Sequence, residues 1–332
     1  MDITLRLAWR NLWRQPRRTW LTTGAMVFSN VLLVFMISLQ FGMYEMMINN
    51  TLAVFTGHLQ VQAPDYKDDR KMRQSIPNAV ALAASIRAGL AIDKVAVRAS
   101  AFALASSKER SFGVQVIGVQ PDYESRVSTL PGLLAEGRYL REDNANEVVV
   151  GSVLARNLRI SIGDELTLIG SGHDGSFAAV VVNVVGIVNS GMADLDRSVV
   201  QIPLGSFQEA FTMRKDAHEI VIQTADLSLV ASVKQRVEVM LPSKPKLVVQ
   251  DWDALEPGLK QAIQADLASA WFMYGVLIIL VAFSVLNTVL MSVLERTREF
   301  GIVLSLGLTP GRLGRLVVLE TVFMGLMGLV VG

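Results

Sequence analysis

ASAWFMYGVLIILVAFSVLNTVLMSV, Ala268 to Val293, holds no charged residue, and its reading decides the class of this chain. As a helix, about 20 consecutive apolar residues cross a hydrocarbon core of about 30 Å. A second such run extends from Trp20 to Phe41 and contains LTTGAMVFSNVLLVFMISLQF. It is too long for the apolar part of a signal peptide, and no small-x-small cleavage site follows it. A third run begins near Leu313 and reaches Gly332, with Arg315 at its entrance and Glu320 inside it. The chain stops within this run, so an incomplete C-terminal region is expected.

Composition agrees with these runs. Of 332 residues 51% are hydrophobic and 18% charged, where a soluble domain carries about a quarter charged. The net charge of +1 comes with no basic face, which argues against nucleic-acid binding. With no cysteine in the sequence, disulfides, thiol catalysis and cysteine metal sites are excluded.

Arginine placement sets the orientation. Arg6, Arg10, Arg14, Arg17 and Arg18 precede the first run, and Arg296, Arg298, Arg312 and Arg315 lie between the second and the third. Short basic flanks stay in the cytoplasm. The expected layout is a cytoplasmic amphipathic helix over 1–19, a transmembrane helix over 20–44 and a periplasmic domain over 45–267. A second transmembrane helix follows over 268–294, then a cytoplasmic segment over 295–311 and a third helix over 312–332. In the tail, Leu5, Trp9, Leu12 and Trp13 fall on one helical side and Arg6, Arg10 and Arg14 on another, a pattern suited to the membrane interface.

Between residues 45 and 267 the periodicity changes. LQVQA, FGVQVIGV, NEVVVG, DELTLIG, AAVVVNVVGIV, RSVVQIP and EIVIQTA are short, rich in Val and Ile, and bounded by turn residues, as strands are. AVALAASIRAG, SVLARNLRI, LGSFQEAF and LVASVKQRVEVML have helical apolar spacing. The pattern predicts an α+β domain. GSGHDGS at 170–176 and Gly163-Asp164 read as turns, since no GxxxxGK[ST] loop is present. His58, His173 and His218 lack ligand spacing, and no GxSxG elbow occurs, so neither a metal site nor a catalytic residue is expected.

NTVLMSVLERTREFGIVLSLGLTPGRLGRLVVLE, Asn287 to Glu320, resembles the signature region of the FtsX/MacB-like permeases, the type VII ABC transporters. EVVVGSVLARNLRISIGDELTL (147–168) and VVNVVGIVNSGMADLDRSVVQIPLGSFQEAF (181–211) resemble the periplasmic core domain of the MacB-like and LolC/LolE-like members. The resemblance implies four membrane helices, of which this chain supplies three. It implies a coupling helix that docks on a separate ATPase, which would bind ATP and magnesium in place of any cofactor here. In this sequence that helix is Glu295, Arg296, Thr297, Arg298, Glu299, Phe300 and Gly301. Salt bridges around a buried Phe300 would form the grip.

Polar residues within the apolar runs, Asn30, Asn287, Thr288 and Glu320, are expected to face other helices, with Glu320 either pairing a basic group such as Arg315 or one on a neighbouring chain, or serving as a proton or ion site. Gly328 and Gly332 have the GxxxG spacing of close helix contact. Phe41, Met43, Tyr44, Met46 and Met47, with Trp271, Phe272 and Tyr274, gather at the outer ends of the first two runs, where an apolar substrate could meet them or an aromatic belt could sit. The resemblance implies a pair of permease subunits, identical or homologous, with two ATPases. NSGMADLD (189–196) inclines the reading toward lipoprotein release with a periplasmic carrier. The alternatives are efflux of a drug or peptide through a periplasmic adaptor, and a signalling or scaffold subunit that regulates a cell-wall hydrolase.

Overall fold

The computed structural model describes residues 9–10, 13 and 16–331, with 18, 22, 284, 288, 292, 328 and 329 described by backbone alone. The chain divides into a helical unit, up to Tyr44 and from Gln261 onward, and an α+β unit, Glu45–Lys260.

Two helices dominate the helical unit, α1 (Pro16–Val54) and a second that spans Pro257–Glu295, each of 39 residues. Both are long and apolar enough to cross a membrane. At 1.5 Å per residue each measures about 58 Å, well beyond a hydrocarbon core of about 30 Å. They therefore extend past the limits of 44 and 268 expected from hydropathy alone. Helical sequence continues where apolarity stops: no glycine or proline interrupts Glu45–Val54, and Pro257 occupies a first helical position that needs no N–H. Shorter helices follow at Thr297–Ser305 and Pro310–Val331. The basic tail falls largely outside the described residues, including Leu5, Arg6, Leu12 and Arg14. Of its apolar side, Trp9 meets Trp13 edge-on and packs against Phe323, with ring centroids 6.2 Å and 5.8 Å apart.

The α+β unit is built on one mixed sheet. Its strands are β1 (Leu59–Gln62), β2 (Val95–Ser106), β3 (Ser111–Val119), β4 (Leu134–Gly137), β5 (Glu147–Gly151), β6 (Glu165–Ser171), β7 (Phe177–Val188), β8 (Val199–Pro203), β9 (Glu219–Ile222) and β10 (Val248–Asp251). The order is β10-β1-β9-β2-β3-β8-β5-β7-β4, with β6 bridging β2 and β7. β3–β8 and β5–β7 are parallel and the remaining pairs antiparallel. β2 organises the sheet: Val95–Arg98 pairs with β9 and Ala103–Ser106 with β6, while β3 runs along its other edge.

One face of β2 carries Ala99, Ala101, Ala103 and Ala105, all buried. Small residues there make room for Phe207 and Phe211, stacked with centroids 4.5 Å apart. Gly118, opposite Ala99, touches this pair so closely that an added Cβ would lie 2.5 Å from the Phe207 Cβ. The same core takes the inner sides of helices Ala79–Leu90 and Val230–Met240. The 170–176 stretch closes the β6–β7 hairpin through Gly172 N–H donating to the Ser176 carbonyl, with Gly175 at φ +88°.

Candidate functional site

The segment singled out for coupling occupies a bend between helices. The helix from Pro257 ends at Glu295, Arg296 leaves helical geometry (φ −99°, ψ 12°), and a new helix starts at Thr297. Thr297 Oγ1 donates to the Leu294 carbonyl at 2.6 Å, which takes up an acceptor freed by the break. Arg296 turns inward. Its guanidinium bonds Glu299 at 3.3 Å and Glu320 at 3.2 Å, and lies 5.0 Å above the Phe300 ring. The basic group that partners Glu320 is thereby Arg296. The bend brings Arg296 to Glu320, with both side chains mostly covered.

Phe300 is 9% exposed, so in this chain the aromatic ring is already occupied by its own unit and is not an outward anchor. The outward apolar side of the short helix is formed instead by Ile302, Val303 and Leu306, the last 82% exposed. Glu295, Thr297, Arg298 and Gly301 are exposed beside them. Gly307, at φ +96°, ends the helix in a conformation that glycine adopts without strain.

The other sequence candidates divide. Phe41, Met43, Met46, Met47, Trp271 and Phe272 are exposed. Tyr274, expected on that surface, is buried, and its hydroxyl donates to Gln40 Oε1. Gln40 also donates to the Tyr44 hydroxyl at 2.6 Å, and Tyr44 in turn donates to Asp266. Sequence reasoning missed Gln40 and Asp266. The signal that could have found Asp266 is a carboxylate two residues before an uncharged run, which needs a partner. Asn30 is half-buried and Asn287 exposed, so only the former faces its own unit. The side chain of Thr288, and Gly332 of the GxxxG pair, lie outside the described residues.

In the α+β unit, NSGMADLD folds on itself. Asp196 is buried and its carboxylate accepts from Ser190 N–H at 3.0 Å and Ser190 Oγ at 2.8 Å. Gly151 packs against the Asp196 backbone so tightly that a Cβ would lie 2.2 Å from its carbonyl oxygen. The stretch closes a loop on Asp196 and leaves Met192 47% exposed. His218, also buried, stacks on Tyr66 and is held neutral, its pKa lowered to about 4 by burial.

Residues 19–239 match the family described as the MacB-like periplasmic core domain, and residues 271–332 the FtsX-like permease C-terminal family. The chain belongs to this family of ABC transporter permeases. Among curated proteins it is 22% identical over 230 residues to the lipoprotein-releasing system transmembrane protein LolC of Neisseria meningitidis serogroup B, covering 66% of this chain and 54% of that one. It is 26% identical over 225 residues to LolE of Haemophilus influenzae, covering 66% and 53%. The chain thus spans about half the length of these relatives. Among solved structures, the periplasmic region of MacB from Actinobacillus actinomycetemcomitans aligns at TM-score 0.44 with 17% identity, covering 63% of this chain and 94% of that one. The extracellular domain of the Gram-positive transporter YknZ aligns at 0.43 with 14% identity, covering 58% and 99%.

Proposed function

We propose that this chain is the multi-pass membrane subunit of a transporter that releases or sorts lipid-anchored proteins at the outer face of a bacterial inner membrane. A separate ATPase supplies the energy and binds ATP and magnesium. The chain itself catalyses nothing, and it acts beside a second permease subunit, identical or homologous. The observation that carries this reading is the short helix Thr297–Ser305, set between two apolar helices, with its charged start and its apolar end both exposed. Similarity to LolC and LolE supports the choice of cargo. The energetics of lipid extraction supports it too. Drawing an acyl chain from a bilayer costs about 0.8 kcal/mol per CH₂, or about 12 kcal/mol for sixteen carbons, and calls for a driven process.

Burial of Phe300 changes which residues an ATPase would grip. Leu306 and Ile302 present apolar surface, while Glu295 and Arg298 offer charges at the rim. Losing an interfacial apolar anchor costs about 2 kcal/mol or more, roughly thirtyfold in affinity. Leu306→Asp should therefore abolish recovery of the ATPase with the tagged chain. Arg298→Glu should weaken recovery less, with an effect that fades at high salt, as rim charges do. Phe300→Ala should act indirectly, by loosening the bend. If Leu306→Asp and Arg298→Glu both retain wild-type ATPase recovery and cargo release, the segment is a basic loop and the coupling reading fails.

A further inference from the structure

The α+β unit contains a cavity of about 230 Å³ on the sheet face opposite the Phe207–Phe211 core. Cross-strand register places Gln62, Glu219 and Arg98 in one row of that face. Arg98 is spoken for: it pairs with Glu124 through two hydrogen bonds, at 3.0 and 2.6 Å, and reaches the Phe55 carbonyl. Glu219 is not. Its carboxylate lines the cavity and accepts no hydrogen bond from any described side chain or backbone group. Burial raises its pKa, with Arg98 and Arg70 opposing, so the group sits where an added N–H donor would relieve it.

Two cations stand on the same cavity wall. Lys67 donates to the Ala254 carbonyl, and Arg70 makes only a long contact, 3.5 Å, with Gln115. The cavity therefore offers a carboxylate that lacks a donor, together with basic groups that have donors to spare.

Next to it the sheet face becomes apolar and uncovered. Gln115, on the cavity wall, lies opposite Phe102. Leu104 follows two residues on, beside Ile169 of β6, and β7 adds Phe177 and Val181. Phe102 is 67% exposed and Phe177 78%. The neighbouring positions of these rows are Ser106, Ser111, Gly113, Thr167, Ser171 and Ala179, with no charge among them. Exposed apolar area of this kind on a folded unit marks a binding surface.

We propose that this cavity and the sheet face beside it bind an aminophospholipid, with its primary ammonium on Glu219, its phosphate toward Arg70 and Lys67, and its acyl part across Phe102, Leu104 and Phe177. The pattern of charge selects this occupant. A fatty acid would bring a second negative charge to Glu219, and a free amino acid or short polar peptide would leave the apolar rows bare. A choline head cannot donate a hydrogen bond to the carboxylate. The inference goes beyond the transport reading and does not rest on it, since it needs no ATPase and no lipoprotein.

The test is calorimetric titration of the full chain in dodecyl maltoside with dihexanoyl-phosphatidylethanolamine and, separately, with its choline analogue. Saturable binding of the ethanolamine lipid is expected, about tenfold tighter than the choline lipid, the usual worth of one charge-assisted hydrogen bond. Glu219→Gln should erase that preference. Phe177→Ser, at a side chain that packs on little, should weaken both lipids by roughly fivefold or more through lost apolar contact. Equal binding of the two lipids, unchanged selectivity in Glu219→Gln, or no saturable binding would each overturn the proposal. If Glu219→Gln does not fold, the comparison of head groups on the wild-type chain and the Phe177→Ser titration still decide it.

Discussion

At the scale of single residues, Arg98 concentrates the polar interior of the α+β unit. It is 1% exposed, in the middle of β2, and its guanidinium meets Glu124 through two bonds and covers the Phe55 ring at 4.0 Å. Removing one member of such a pair strands the other charge in the interior, at a cost of about 3–5 kcal/mol. Glu124→Ala should accordingly lower the unfolding midpoint sharply. Arg98→Met combined with Glu124→Leu should be markedly milder than the two single changes added together, because neither member of the pair is left stranded by loss of the other. Thermal unfolding of the three variants would check this, and strict additivity would count against the pairing as drawn. None of this was legible in advance. An arginine within an alanine-rich run suggests an exposed helix, and its burial depends on Glu124, 26 positions away.

Among the elements, the strands rich in valine and isoleucine were readable from sequence, from LQVQA to EIVIQTA, because branched side chains suit a pleated surface. β2 was not. VAVRASAFALAS has the alanine content of a helix, and what makes it a strand is tertiary: Phe207 and Phe211 fill the space that its alanines leave. Gly118 shares in that arrangement. Gly118→Ala would put a methyl group 2.5 Å from Phe207 Cβ, and overpacking of this kind costs about 1–3 kcal/mol. A lower unfolding midpoint is expected, and partial recovery when Phe207→Leu is added. No loss in the single variant would mean that the sheet and its helix separate more easily than their contact implies. The 295–301 segment was similarly half legible. Its charges and its position between apolar runs were visible, but whether Phe300 is covered by its own chain or by another depends on where Arg296 turns, which periodicity does not encode.

For the molecule as a whole, the division into a helical unit and an α+β unit gives the topology a direct test. A periplasm-active reporter fused after Gly151 should be active, and one fused after Gly307 should be silent, with the reverse pattern for a cytoplasmic reporter. The arginine distribution motivates both expectations. Either fusion behaving in the opposite way would invert the orientation and move the short helix away from any cytoplasmic partner.

The upper end of α1 carries one more consequence. The last carbonyls of a helix ordinarily lack partners, and the final turn unwinds readily. Here Gly57 N–H serves Leu52 at 2.8 Å, Thr129 N–H serves Ala53 at 2.8 Å, Ser128 Oγ serves Val54 at 2.6 Å and Arg98 serves Phe55. Fraying at this end would have to break the bonds to Gly57, Ser128 and Thr129 first. The terminus of α1 is thus fastened to the α+β unit, and its last turn should exchange amide protons with solvent more slowly than a frayed helix end does.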